Sequence, residues 1–120
     1  MDANVGTISI NGVEYIQKSE VEEREMSGDY FIVRTYSAGV FAGNIVKREN
    51  QEVVMKNARR IWYWTGAASL SQLAMEGTSK PNDCKFPCAV EEVILTQAIE
   101  ILKCTKKAEK SIKSVSIWKQ

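Results

Sequence analysis

The chain has 120 residues and a net charge of +1, with 44% apolar and 26% charged residues. This composition is ordinary for one soluble globular domain, and the length suffices for a modest core without a disulfide or metal. No apolar run approaches the roughly 20 residues that span a bilayer, and the first ten residues do not resemble a secretory signal. We therefore expect a cytoplasmic protein with no membrane partner.

The residues that catalysis most often uses are scarce. The chain contains no histidine, which removes the usual general base and most nucleophile triads, and it has no Gly-rich phosphate loop or nucleophile elbow. Cys84 and Cys88 have a spacing that suits half a zinc site, but only Cys104 remains as a further ligand. We expect free thiols, no metal, no cofactor and no enzymatic activity.

The first 29 residues suggest an addition to the main domain. Residues 5–18 are typical of a hairpin around Asn11-Gly12, the dipeptide that best suits a type I′ turn. Ser19 and Glu22 have the spacing of a capping box, which predicts a short acidic helix that ends near Met26. We expect a hairpin and an acidic helix over 1–29, followed by a core domain over 30–120.

Period-2 alternation then predicts a run of β-strands. Gly43 indicates a bulge or a close approach of another backbone, and we expect the chain to break or bend near Ala58. Turn residues separate four predicted strands: 30–36, 40–47, 52–57 and 59–64. The pattern indicates an antiparallel meander.

Helical signals appear in the second half of the chain. Ser69 is placed to cap a helix that runs to Glu76, with Gly77 after it. Further elements are predicted in this order: a loop over 78–87, two short strands over 90–104, a basic helix over Lys106–Lys113 capped by Thr105, and a last strand over 115–118. The fold class is α+β: one domain with a mostly antiparallel sheet and two or three short helices.

The segment Arg59–Gln72 carries the strongest functional signal. In a strand, Arg60, Trp62 and Trp64 share one face. Such a stripe could hold a planar base while its guanidinium neutralises phosphate. The alternative is that the two tryptophans belong to the core, as strand aromatics often do.

Charge is distributed unevenly. Residues 1–29 carry seven acids against two bases, a balance of −5, and residues 103–120 carry six lysines against Glu109, a balance of +5. Either these are two solvated faces, or they meet across subunits, or the basic tail lines an anion site.

Four sequence blocks resemble a family of small phage and prophage proteins. They are VRTYSAG at 33–39, NARRIWYW at 57–64, GAASLSQLAMEG at 66–77 and KFPCAVEEVILTQAIEILKCT at 85–105. In function, the chain resembles the phage anti-Thoeris sponges. This resemblance implies sequestration of a cyclic ADP-ribose-like immune messenger without cleavage, binding of cyclic oligonucleotides in some members, and assembly as a dimer or hexamer in the infected host's cytoplasm.

A binding site for such a messenger needs cations for phosphate, aromatic rings for adenine, and hydroxyl or amide donors from turns. Ser69 has the simpler interpretation of a helix cap, and Phe86 that of a loop anchor. The candidate ligand-binding residues are Arg34, Tyr36, Ser37, Phe41, Arg59, Arg60, Trp62, Trp64, Ser69 and Phe86.

Two other functions remain open at this stage. A nucleic-acid-binding module could use the same arginines and tryptophans, but a net charge of +1 gives little of the required phosphate attraction. A small phage protein that inhibits a host protein by direct contact would need only an aromatic surface patch.

Overall fold

The computed structural model describes residues 29–120 and, before them, the backbone of two short strands. The strands are β1 (Gly6–Ile8), β2 (Ile10–Gly12), β3 (Phe31–Thr35), β4 (Val40–Glu49), β5 (Glu52–Arg60), β6 (Ala89–Leu95) and β7 (Ala98–Lys103). The helices are α1 (Leu70–Glu76) and α2 (Lys106–Ser114), and a 3-10 turn covers Pro81–Asp83. The predicted α+β class is confirmed.

The N-terminal strands lie outside the main sheet. β1 and β2 pair with each other in parallel. Asn11 and Gly12 belong to β2, which differs from the turn predicted there, because Asn-Gly favours positive φ in a turn but does not exclude extended backbone. The remainder of the predicted hairpin and the acidic helix lie outside the described residues, so they stay predictions.

The main sheet has five antiparallel strands in the order β6-β5-β4-β3-β7. Its two edge strands, β6 and β7, are joined only by Thr96 and Gln97. A flat sheet would hold the edge strands roughly 19 Å apart at about 4.8 Å per strand, whereas the link from Leu95 to Ala98 spans at most about 11 Å. The sheet therefore curls until its edges approach each other at this turn.

Two bulges bend the β4–β5 hairpin into this curl. One lies at Asn57, which has a φ of 53°, opposite Gly43, and the other lies at Val46. Bulges increase local twist and bend the strand that carries them. The hairpin tip is thereby carried over to β7, where the carbonyl of Gln51 accepts a 3.0 Å hydrogen bond from Ala98 N.

Gly43 makes the close approach that its position in the sequence predicted. A β-carbon at this residue would lie 2.8 Å from Ala58 Cα and 3.0 Å from the carbonyl oxygen of Lys56. These are backbone atoms, so they cannot move aside as a flexible side chain could. The predicted bulge and the predicted bend near Ala58 are both confirmed.

Two apolar clusters stabilise the fold, one on each face of the sheet. The first contains strand residues only and lies inside the curl; its buried members include Val33, Phe41, Val53, Met55 and Leu95. The second joins the other face of the sheet to both helices, and its buried members include Tyr30, Ile32, Leu73, Phe86 and Ile112. The strands of the sheet thus supply both clusters.

The two helices are capped as the sequence predicted. The Ser69 side chain accepts a hydrogen bond from Gln72 N, and that of Thr105 accepts one from Ala108 N. Gly77 ends α1 with a φ of 78°, and a β-carbon there would lie 2.4 Å from the Ser111 side chain. The absence of a side chain at Gly77 therefore lets α1 pack against α2.

Two predicted strands are wrong. The strand predicted over 59–64 ends at Arg60, since β6 begins at Ala89, opposite Arg59, and β4 begins at Val40, whose carbonyl still accepts a 2.8 Å hydrogen bond from Ile61 N. Tyr63 keeps an isolated bridge to Lys85. The strand predicted over 115–118 is reduced to one bridge between Ile117 and Phe86.

We expect Gly43→Ala to lower the free energy of unfolding by about 1–3 kcal/mol, because overpacking against backbone costs about that much. The entropic gain from replacing glycine, about 0.4–1 kcal/mol, is smaller. Urea denaturation measures the change. Lys56→Ala, at an exposed position on the facing strand, is the control and should stay within about 0.5 kcal/mol of the parent. An unchanged midpoint in Gly43→Ala would show that the bulge can open.

The three cysteines are free but should differ in reactivity. Cys88 is exposed, and Cys84 and Cys104 are buried. Burial, with a further contribution from Glu109, raises the pKa of Cys104 to about 12. In a colorimetric thiol assay of the native protein at neutral pH, Cys88 should react first, and the other two only after unfolding. Cys88→Ala should abolish the fast phase; a remaining fast phase would contradict the burial of Cys84 and Cys104.

Candidate functional site

Five of the predicted site residues lie around the β3–β4 turn. Arg34, Tyr36 and Ser37 lead into this turn, and Phe41 follows it. Arg60 joins them because its register partner on β4 is Phe41. Its guanidinium lies over the Phe41 ring, 4.4 Å from the centroid, and Nη1 donates to the Ala38 carbonyl. Phe41 and Arg60 thus contact each other beside the turn, whereas Arg34 lies on the opposite face of the sheet, because its neighbour Val33 is the register partner of Phe41.

The polar groups of this turn mostly bind one another. Arg34 Nε donates to Glu100 Oε1 at 2.8 Å, and both side chains are partly exposed. Ser37 Oγ donates to Gln97 Oε1 at 2.8 Å. Tyr36 is 77% exposed. The turn thus offers an exposed ring and two arginines, each already paired once, but no enclosed cavity.

Arg59 points to the face of the sheet opposite to that of Arg60 and is buried, with 5% of its surface exposed. Its guanidinium donates only to backbone carbonyl oxygens: Pro87 at 2.9 Å, Ile112 at 3.0 Å, Val115 at 2.8 Å, Phe86 at 2.6 Å and Ser116 at 3.4 Å. Burial lowers its pKa, while Tyr30 and Cys88 oppose this shift. All five N–H donors are occupied, so Arg59 has none left for a ligand phosphate.

Three further candidates have structural roles. Phe86 is fully buried, 5.5 Å beneath the Arg59 guanidinium. Trp64 is half-buried and packs against the cluster under the helices. Ser69 caps α1. Phe86 and Trp64 thus belong to the interior, and the exposed Ser69 has its hydroxyl engaged in the helix cap.

Trp62 lies in a different cluster, which we name the aromatic surface: Trp62, Tyr63, Lys85 and Trp118. The Trp62 and Trp118 rings stack with centroids 5.1 Å apart and an interplanar angle of 24°. Lys85 Nζ lies 5.7 Å from both indole centroids and 5.8 Å from the Tyr63 centroid. Trp62 is 58% and Tyr63 49% exposed. One ammonium group is thus surrounded by three rings at the protein surface.

Three separate segments of the chain build the aromatic surface. Tyr63 and Lys85 exchange backbone hydrogen bonds of 3.2 and 2.8 Å, which place the ammonium beside the rings. Trp118 N donates to the Phe86 carbonyl at 3.0 Å. The stack therefore joins residues 56 positions apart through backbone contacts that span 22 and 32 positions.

Sequence reasoning did not find three members of this surface as site residues: Tyr63, Lys85 and Trp118. The stripe of Arg60, Trp62 and Trp64 required a continuous strand, which ends at Arg60. The sequence does place an aromatic residue, Trp118, near its last residues, and a cation, Lys85, directly before Phe86 and Pro87. Neither feature identifies a stacking partner without the fold.

Three open depressions lie elsewhere. One, of about 540 Å³, lies beside β7 and is lined by residues such as Phe31, Ile45 and Ile101, with Arg48 at its border. Another lies on α2 and is lined by lysines such as Lys106 and Lys110. No site candidate predicted from the sequence lines these two, whereas Arg59 lines the third, a smaller one of about 230 Å³.

The aromatic surface has the chemistry of reversible recognition. An indole face is apolar, and its π electrons attract cations and stack on planar rings. Lys85 adds a positive charge that an anionic ligand can approach. In the described part of the chain, no group of three or more Cys, Asp or Glu residues is placed to hold a metal ion, and no helix is long and apolar enough to cross a membrane.

The fold and this surface define the molecule as a small α+β domain that exposes a cluster of aromatic rings around one lysine. The chain belongs to the family described as a domain of unknown function, DUF6948, whose sequence profile matches residues 28–112. Comparisons with curated proteins and with solved structures give no match. Three members of the aromatic surface lie within the family match, and Trp118 lies outside it.

The stack makes a spectroscopic prediction. Two indoles in contact couple their electronic transitions, and this coupling produces a paired band in far-ultraviolet circular dichroism. Trp62→Ala and Trp118→Ala should each remove the band, whereas Trp64→Phe should keep it. Persistence of the band in either of the first two variants would contradict the stack.

Proposed function

We propose that the protein is a non-catalytic binding protein that sequesters a nucleotide-derived immune messenger, such as a cyclic ADP-ribose isomer, in an infected bacterial cell. The aromatic surface is the binding site in this proposal. The base stacks on the free face of Trp62, and Lys85 neutralises a phosphate. The messenger is released intact.

One observation carries the proposal: the Trp62–Trp118 stack with Lys85 Nζ 5.7 Å from both ring centroids. Stacking of a base on an aromatic side chain is worth about 1–3 kcal/mol and tolerates any base. The Trp118 ring supports one face of Trp62 and thereby fixes its orientation, which reduces the entropy lost on binding. An ammonium beside the rings supplies the charge that a pyrophosphate or phosphodiester requires.

The role of the arginines changes with the structure. Arg59 is not a ligand contact in this proposal, because backbone carbonyl oxygens occupy all its N–H donors. Arg34 and Arg60 remain exposed at the β3–β4 turn with Tyr36. They form the alternative location for the same ligand chemistry, and variants distinguish the two locations.

A second candidate function is inhibition of a host protein by direct contact. Ile117, which is 56% exposed, precedes Trp118 in the sequence and adds apolar area beside Phe86, its bridge partner. Exposed tryptophan and tyrosine side chains dominate the binding energy of many protein interfaces. The same residues would then bind a protein rather than a nucleotide.

Two further parts of the proposal concern assembly and location. We propose that the protein forms a homo-oligomer, a dimer or hexamer, and acts in the cytoplasm of the infected host. A symmetric assembly would multiply binding sites without further residues. Light scattering at micromolar concentrations measures the assembly state.

The test is titration of the protein with cyclic ADP-ribose, its isomers, and cyclic di- and trinucleotides, with binding measured by calorimetry and tryptophan fluorescence. We expect at least one of these nucleotides to bind and to be recovered intact by chromatography after the protein is denatured. Trp62→Ala should weaken binding by about 1–3 kcal/mol, which is roughly tenfold or more in Kd. Lys85→Met should lose a similar amount, since it removes the only charge of the aromatic surface.

Arg34→Ala and Tyr36→Ala are matched controls at the other location and should bind as the parent does. If they lose affinity while Trp62→Ala keeps it, the site lies at the β3–β4 turn. If no member of the panel binds, the messenger proposal fails for that panel. Capture of a host protein by the parent but not by Trp62→Ala would then support the second candidate.

A further inference from the structure

The C-terminal strap, residues 115–120, carries Trp118 but has little regular structure to hold it. α2 ends at Ser114, and the strap makes a single bridge, between Ile117 and Phe86. The bridge includes the bond from Trp118 N to the Phe86 carbonyl at 3.0 Å, and Val115 N donates to the Ile112 carbonyl at 3.3 Å. Few backbone bonds therefore hold the strap, although its Val115 side chain is buried in the core cluster under the helices.

Arg59 makes further hydrogen bonds to the strap. Nη1 donates to the Val115 carbonyl at 2.8 Å and to Ile112 in the last turn of α2 at 3.0 Å. Nη2 donates to Phe86 at 2.6 Å and to Ser116 at 3.4 Å. Each terminal nitrogen thus bridges different segments. The Phe86 carbonyl oxygen accepts hydrogen bonds both from Arg59 Nη2 and from Trp118 N.

We infer that Arg59 is the positioning residue of the aromatic surface: its guanidinium fixes the strap and the Phe86 segment, and so holds Trp118 against Trp62. The inference rests on the proposed function only for its effect on ligand binding. Strap docking and ligand binding are coupled, because a base stacked on the Trp62–Trp118 pair is bound only by the docked form.

The guanidinium is suited to this task in a way that lysine is not. Its planar fork presents five donors in fixed directions, whereas an ammonium has three donors on a single atom. The carbonyls of Ile112 and Val115 also lie where the α2 dipole is negative, which favours a cation. Arg59→Lys keeps the charge but cannot reach five oxygens that lie on separate segments.

The adjacent Arg60 provides a matched control of the same residue type. It is exposed and donates to one carbonyl, that of Ala38, while its guanidinium covers Phe41. It makes no contact with the strap among the described interactions. Substitution of Arg60 by lysine should therefore leave the Trp62–Trp118 stack intact.

The experiment measures three properties of ligand-free protein: the paired circular dichroism band, the Trp118 indole N–H resonance by NMR, and cooperative thermal unfolding. Arg59→Lys and Arg59→Met should still unfold cooperatively but lose the band, with the Trp118 resonance shifted to that of an exposed indole and the Trp64 resonance unchanged. Arg60→Lys should match the parent in all three. A merely structural role for Arg59 would lower stability but leave the band in the folded protein.

A band of parental size in folded Arg59→Lys and Arg59→Met would overturn the inference. Failure of both variants to fold would also overturn it, since Arg59 would then be required by the whole domain rather than by the strap. In a second arm, cyclic ADP-ribose isomers should bind on the order of tenfold more weakly to Arg59→Lys, as to Trp118→Ala. If the parent binds no nucleotide while the band behaves as expected, the proposed function fails and the positioning role stands.

Discussion

The two-residue connection between the edge strands of the sheet determines the shape of this domain. Thr96 and Gln97 can join β6 to β7 only if the sheet curls, and the curl requires the bulges at Asn57 and Val46 in the central hairpin. Curling encloses one apolar face without any helix and leaves the other for α1 and α2. The same bulge explains the glycine at position 43, because the backbone around Asn57 lies too close to leave room for a β-carbon there.

The bulge at Asn57 also determines which of two adjacent arginines is buried. Successive side chains of a strand point to opposite faces, and the extra residue places Arg59 on the face that packs against α2, while Arg60 lies at the surface. Leaving a buried guanidinium without partners would cost several kcal/mol. Five carbonyl oxygens offset that cost, with hydrogen bonds to a charged group each worth about 1.5–3 kcal/mol. Backbone carbonyl groups thus offset the cost of burying the Arg59 charge, and the guanidinium connects three segments of the chain.

Local signals predicted most of the fold. The strands from Phe31 onward, both helix caps and the close approach at Gly43 follow from alternation, capping chemistry and steric demand, all of which act within a few residues. The two incorrect strands, at 59–64 and 115–118, have strand-like composition, but the neighbouring strands end before they could pair. The length of a strand depends on where its partners stop, and sequence alternation carries no information about that.

The candidate site could be predicted less well, for a related reason. The sequence predicted a cation beside aromatic rings and selected Arg60 and Trp64 as neighbours of Trp62, where the structure places Lys85 and Trp118. Stacking partners 56 positions apart meet only because the strap returns beneath the sheet, and that return depends on a buried arginine. A surface assembled in this way exists only when three segments are docked together. The surroundings of Trp62 therefore depend on how residues 115–118 are docked, although Trp62 itself lies in the middle of the sequence.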